Sequence, residues 1–194
     1  QQGVVQSQQA LSLDLTGDLD NQGGTLTGNG RTVVHAAELR NAQGNINSLD
    51  SLDMLLTGAL DNGGGRIFSK SSQTLQAQDI FNQQGWMGSQ GGWRAVSTTF
   101  NNREGSVQSQ QDATLTANML DNAKGLLQSA ASLALHIAQD IDNRAGKISA
   151  RQRLDVQGNA ADAATGKLNN AAGQLLSGDN LTVSAQSVDN RQGG

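Results

Sequence analysis

Two histidines, His35 and His136, are the side chains best suited by type to acid–base or metal chemistry near neutral pH, and their spacing denies them both. In the repeat frame that organises this chain they occupy equivalent outward positions five units apart, roughly 24 Å at the ~4.8 Å spacing of stacked strands. They cannot share a metal or a proton. Asp14, one unit before His35, is expected beside it as a solvated surface pair. The acids form a column: Asp20, Asp61, Asp121, Asp142 and Asp189 recur at one position, with Asn101 and Asn169 among them and Arg40 between Asp20 and Asp61. Asp121 and Asp142 offer the oxygens that calcium prefers. No Gly-Gly-x-Gly-x-Asp nonapeptide accompanies them, so the column reads as corner caps rather than a metal site. No paired carboxylates stand at glycosidase-like separation, and a Thr-x-Thr rank of the ice-binding kind occurs only at Thr114-Leu-Thr116. No catalytic residue, cofactor site or metal site is expected; the chain reads as a non-enzyme.

One group has the chemistry of a contact. Trp86 should point outward beside Arg66 and diagonal to Phe68, an apolar and cationic patch on an otherwise polar surface of Thr, Gln, Ser and Asn. Aromatic and arginine groupings are over-represented at interfaces. The same residues serve equally to cover a strand face locally. Trp93 is expected inward, with Ala113 in the next unit leaving it room.

What must position these side chains is a repeat. A leading apolar residue begins a new unit at Leu19, Leu39, Leu60, Ile80, Phe100, Leu120, Ile141, Leu168 and Val188, with steps of 20, 21, 20, 20, 20, 21, 27 and 20 residues. Position 3 of every unit is asparagine: Asn21, Asn41, Asn62, Asn82, Asn102, Asn122, Asn143, Asn170 and Asn190. Position 6 is always glycine: Gly24, Gly44, Gly65, Gly85, Gly105, Gly125, Gly146, Gly173 and Gly193, with Gly3 in the same slot of a truncated leading copy. Such periods signal repeat architecture and are read before anything else.

Position 8 is apolar (Leu26, Ile46, Ile67, Met87, Val107, Leu127, Ile148, Leu175) and position 10 is small, as in Ser48, Ser69 and Ser89. Alternation resumes at positions 14, 16 and 18, as in Leu133-Ala-Leu135-His-Ile137, and period 2 is the strand signature. Apolar spacing of 3 and 4, which a helix needs, is missing. Three short strands per unit predict an all-β fold, a right-handed parallel β-helix (β-solenoid) of about nine 20-residue coils, forming one domain over 1–194. In this frame position 6 glycine suits a corner of positive φ where a Cβ would clash. Position 3 asparagine tolerates the left-handed region and stacks into an amide ladder. The long unit places Asn159 to Lys167 in one corner as a protruding loop, where solenoid insertions collect.

Composition bounds the rest. With 36% apolar residues and 24 glycines among 194 the chain can build a core, while 3% aromatic content makes that core aliphatic. Net charge of −4, from 13 basic and 17 acidic residues without a basic cluster, argues against nucleic acid as partner. No apolar run approaches the ~18 residues of a membrane span, so membrane insertion is not expected. Gln1-Gln2-Gly3 is no signal peptide, and the chain reads as an interior piece of something longer. Without cysteine the fold must stand without disulfides.

The pattern Leu-Asp-Asn-x-x-Gly-x-Ile/Leu-x-Ser, then Leu-x-Leu-x-Ala, resembles the haemagglutinin repeat of filamentous haemagglutinin-like exoproteins. Leu120-Asp121-Asn122-Ala-Lys-Gly125-Leu-Leu127-Gln-Ser129 carries it well, and the similarity covers residues 3 to 194. The family comprises very large bacterial proteins exported by two-partner secretion, including adhesins and contact-dependent growth inhibition toxins of the CdiA type. The resemblance implies a shaft segment, secreted and held at the bacterial cell surface, that projects distal adhesive or toxic regions toward a target cell. It implies an outer-membrane transporter as partner during export, and a target-cell receptor engaged through other regions. The alternative is a receptor- or glycan-binding module using the Trp86 patch or the 159–167 loop. The fragment is expected to be monomeric, with end-to-end stacking as the other option.

Overall fold

The computed structural model describes residues 3–160 and 163–192. It contains three parallel sheets of nine strands each, and the described residues include no helix. Each strand pairs only with the equivalent strands one coil before and one coil after. In the first sheet Arg66-Ile67-Phe68-Ser69 is in register with Asn45-Ile46-Asn47-Ser48 on one side and Trp86-Met87-Gly88-Ser89 on the other. Coils of 20 or 21 residues, and one of 27, therefore stack as a parallel β-solenoid, the class that the period predicts.

The core is a set of axial columns. Leu39, Leu60, Ile80, Phe100, Leu120, Ile141 and Leu168 line one wall, none more than 2% exposed. Ile46, Ile67, Met87 and Ile148 line the second at 0%, and Val34, Leu75, Leu115 and Leu135 belong to the third. Each fully buried Leu or Ile contributes roughly 1.5–3 kcal/mol, and the strands that hold it cannot close a core alone. Burial falls off at the ends: Val188 is 53% exposed and Leu181 47%. One column is imperfect. Gln73, 1% exposed, has no hydrogen-bond partner for either amide atom, and neither does the indole nitrogen of Trp93, its register neighbour. Trp93 points inward, in register with Ala113, and meets Phe100 edge-on at 5.8 Å.

Position 10 serines do more than leave space. The Ser89 hydroxyl lies 2.7 Å from the Ser71 carbonyl of the coil before and 3.0 Å from the Gly92 carbonyl of its own corner; Ser109 repeats both contacts, and Ser129 keeps the one to the coil before while accepting from Ala131 N at 3.0 Å in its own corner. These hydroxyls tie the corner between the first and second sheets to the coil before it.

Two expectations need correction. The excursion in the long unit is shorter than Asn159 to Lys167, because Thr165–Asn169 is a strand of the third sheet. Thr165 is fully buried with its hydroxyl 2.5 Å from the Gln139 carbonyl, and Lys167 N donates to Asp140 Oδ1 at 2.7 Å. The previous coil thus captures the chain three residues early. The base of the excursion closes through Gly158 N to Ala163 O at 2.7 Å, and its residues 161 and 162 lie outside the described residues.

The second correction concerns the corner. Positive φ occurs at position 5, not at the position 3 asparagine or the position 6 glycine: Gln43, Gln84, Glu104, Lys124, Ala145 and Ala172 sit between +53° and +57°, with Gly64 at +60°. Left-handed backbone costs an L-residue about 1–2 kcal/mol. Ala145→Gly should therefore stabilise the solenoid by about 0.5–1 kcal/mol, after allowing for the freer unfolded chain. Equilibrium urea unfolding would show it, and a destabilised variant would mean that the corner is not strained.

Candidate functional site

The asparagines form one unbroken chain of side-chain hydrogen bonds. Asn21 Nδ2 donates to Asn41 Oδ1 at 2.7 Å, Asn41 to Asn62, Asn62 to Asn82, Asn82 to Asn102, Asn102 to Asn122 and Asn122 to Asn143, all at 2.7 Å. Asn143 then donates to Asn170 at 2.6 Å across the long unit, and Asn170 to Asn190 at 2.7 Å. The loop interrupts the sequence but not the ladder. Asn41 to Asn170 are at most 2% exposed, whereas Asn190 is exposed at the open end. The second amide proton faces the carbonyl of the same corner's glycine and a carbonyl of the next coil, for Asn102 at 3.3 Å (Gly105) and 3.1 Å (Leu126). Asn102 N donates to Asp121 O at 2.7 Å, and its carbonyl accepts from Gly105 N at 3.0 Å. Every polar atom of the residue is satisfied, the condition under which a buried amide stabilises rather than costs.

Crowding here explains the glycines. A Cβ on Gly105 would overlap the Asn82 carbonyl oxygen and come within 2.7 Å of Asn102 Oδ1; Gly44, Gly65, Gly85, Gly125, Gly146 and Gly173 are equivalent, and Gly24 is looser. Gly193 lies outside the described residues. Position 6 is glycine for room, because two coils touch backbone to backbone there.

The acidic column caps the same corner. Oδ1 of Asp20, Asp61, Asp121 and Asp142 accepts the N–H two residues on at 2.9–3.1 Å, and Asn101 does likewise at 3.1 Å. Three of these acids are also held by arginine: Arg103 to Asp121 at 2.7 Å, Arg144 to Asp142 at 2.6 Å and Arg191 to Asp189 at 2.7 Å. Burial pushes the Asp142 carboxyl up, but hydrogen bonds from the Arg144 side chain and backbone outweigh it and leave the group below the usual range. The Arg191 guanidinium brings Asp189 down to about 2. Among the described residues no three His, Asp or Glu side chains are grouped so as to hold a metal ion. His35 Nδ1 stands 3.7 Å from Asp14, both exposed, and His136 Nδ1 stands 3.1 Å from Gln157 Nε2.

The aromatic patch is stacked along the axis. Arg66 Cζ lies 3.9 Å from the Trp86 ring centroid and 5.6 Å from that of Phe68, while the two rings stack at 6.1 Å and 23°. The indole occupies the space that a side chain on Gly88 would fill, since a Cβ there would collide with the six-membered ring. Trp86 therefore runs along its own strand rather than standing away from it. Phe68 and Trp86 are half-buried and Arg66 is exposed.

A stack of coils in three parallel sheets, joined along one corner by a buried amide ladder, defines a β-solenoid repeat segment. The haemagglutinin repeat model matches residues 1–64, 47–104, 94–158, 133–174 and 159–194, and the chain belongs to that family. Proteins of the family are secreted surface proteins, structural or adhesin-like rather than typically enzymatic. No helix of the described residues is long and apolar enough to cross a membrane. No curated protein and no solved structure matches the chain.

Proposed function

We propose that this chain is a shaft segment of a large bacterial surface exoprotein, and that it projects distal adhesive or toxic regions toward a target cell. The observation that carries the reading is the ladder, continuous from Asn21 to Asn190 through the one irregular coil. Its coils contact only their neighbours, so length follows coil number. Local contacts also suit passage of an unfolded chain through an outer-membrane transporter, followed by coil-by-coil folding outside. Deleting two coils, residues 100–140, in frame from the parent protein tests this. Export and surface display should persist, with reach shortened by about 10 Å. Abolished target binding despite intact display would argue against a spacer.

A second reading, contact through the Trp86 patch, draws on the exposed Arg66 guanidinium over two aromatic rings. Trp86→Ala separates the roles. Lost cell or glycan binding with an unchanged melting temperature marks a contact residue; a lowered melting temperature with binding intact marks a cover for the strand.

A further inference from the structure

Among the asparagines of the ladder only Asn62 is followed by glycine; Gln, Ala or Arg follows each of the others. That succession matters chemically. The backbone nitrogen of the next residue can attack an asparagine's side-chain carbonyl carbon: the N–Cγ bond forms, the Cγ–Nδ2 bond breaks, ammonia leaves with the amide proton, and a five-membered succinimide remains. Water then opens the ring at either carbonyl and leaves aspartate or isoaspartate. Glycine permits the closure best, since no Cβ hinders the approach and its backbone turns freely.

The folded ladder blocks each step at Asn62. The residue is 0% exposed; its Oδ1 accepts from Asn41 at 2.7 Å, and its Nδ2 donates to Asn82 at 2.7 Å with the Gly65 carbonyl at 3.3 Å. Turning Cγ toward Gly63 N would break these bonds in a buried site. The attacking nitrogen is held as well. Gly63 N donates to Asp61 Oδ1 at 2.9 Å, and a negative carboxylate disfavours loss of that proton. Coils lie on both sides of this corner, so exposing it requires parting the stack rather than fraying an end. Asn29–Gly30, the other pair of this type in the chain, stands in contrast. Asn29 is exposed in the turn after an early strand; its side chain donates to the exposed Gln8 at 2.9 Å, and Gly30 N to Gln9 O at 2.9 Å.

We propose that Asn62 is a modification site of the unfolded chain that folding closes: while unfolded it converts through the succinimide to aspartate or isoaspartate, and the product places a fault in the ladder at the third coil. Aspartate sets an acceptor against the Asn82 oxygen, which needs a donor. Isoaspartate lengthens the main chain by one carbon inside the corner where Gly65 has no room for a Cβ beside the Asn41 carbonyl. Time spent unfolded is thereby written into one corner as a charge. The chemistry stands apart from the shaft reading, which supplies only an interval in which the chain is unfolded.

Incubation of the chain in guanidinium and in native buffer at the same mildly alkaline pH, followed by peptide mass mapping and an isoaspartate assay, tests the site. In guanidinium Asn62 and Asn29 should convert at similar rates. In native buffer Asn62 should slow by roughly 10³-fold or more, as the open fraction of a stable core dictates, and Asn29 by far less. Gly63→Ala should slow conversion at Asn62 in guanidinium by about tenfold and leave Asn29 as it was. That variant should fold, since the nearest atom to a Cβ there is Asp61 Oδ1, at 3.1 Å, and the φ of Gly63 is not in the left-handed region. Parent chains aged in guanidinium and then refolded should contain a lower-melting fraction that grows with Asn62 conversion, whereas Gly63→Ala chains aged for the same time, modified at Asn29, should melt as fresh ones do. Conversion of Asn62 in native buffer as fast as in guanidinium, no conversion there in guanidinium, or modified parent chains that melt as fresh ones do would overturn the proposal.

Discussion

Gly105→Ala is expected to destabilise the solenoid by about 3–5 kcal/mol, a large loss for one methyl group at a corner. The added Cβ has nowhere to go. It would overlap the Asn82 carbonyl oxygen of the coil before, approach Asn102 Oδ1 to 2.7 Å and Asn82 Nδ2 to 3.0 Å. Relief requires the two coils to separate locally, which breaks the 2.7 Å link between Asn82 and Asn102 and buries both amides without a full set of partners. Overpacking of a tight site alone costs about 1–3 kcal/mol, and each buried amide left unpaired adds a comparable amount. The φ of Gly105 is not in the left-handed region, so the cost owes nothing to backbone preference. The control is built into the chain. At Gly24 the preceding coil's carbonyl would stand 3.2 Å from the new Cβ, and Gly24→Ala should cost distinctly less. Guanidinium unfolding followed by far-UV circular dichroism distinguishes them. A Gly105 variant within about 1 kcal/mol of its parent would show that the corner opens freely.

How far such a corner can be read from sequence depends on what repeats. The coil length, the strand positions and the inward columns are legible because each is a spacing, and stacking forces equal spacings onto equal environments. Leu39, Leu60 and Ile80 recur for one physical reason, and the pattern displays it. Glycine at position 6 shows that a side chain is excluded there, but absence of a side chain does not say whether φ or a neighbour excludes it. The residue that does adopt positive φ is invisible. Position 5 is occupied by Gln, Glu, Lys, Ala and Gly, because the strain is small enough for surface chemistry to choose the type. Thr165 was hidden for a different reason: small and polar residues around it look like a loop, and only the Gln139 carbonyl and Asp140 carboxylate of the previous coil make it a strand. Trp86 shows the same limit. Its spacing puts it outward beside Arg66, but its lie along the strand depends on the bare backbone of Gly88 two residues on.

Asn102→Asp should turn a pH-insensitive ladder into a pH-sensitive one. The two side chains are nearly the same shape, so packing changes little, and what changes is the supply of protons. A carboxylate at this position can still accept from Asn82 Nδ2, but it faces Asn122 Oδ1 at the 2.7 Å spacing that the amide bridged, with the Gly105 and Leu126 carbonyls beside it. Surrounded by acceptors and fully buried, the acid's folded pKa must lie above its unfolded value of about 3.9. The sign follows directly. Relative to the parent protein at the same pH, the variant is least impaired below about pH 4, where the protonated acid can donate to Asn122, and it loses stability as pH rises through the folded pKa. At pH 7 the loss should reach about 3–5 kcal/mol. Asn102→Ala, which removes donor and acceptor together, should be destabilised by a similar amount at every pH. One escape is available to the chain: the amides of Asn122, Asn143, Asn170 and Asn190 could all flip and donate backwards into the carboxylate. Their second protons oppose it, since Asn122, Asn143 and Asn170 each hold the carbonyl of their own corner's glycine at 3.3 Å, and Asn122 and Asn143 also face one in the next coil at 3.2–3.4 Å. A flip would turn an oxygen toward those carbonyls at each corner. A stability difference between Asn102→Asp and the parent that stays flat from pH 4 to pH 8 would therefore mean that the ladder's direction is not fixed, and that the second proton contributes far less than its geometry indicates.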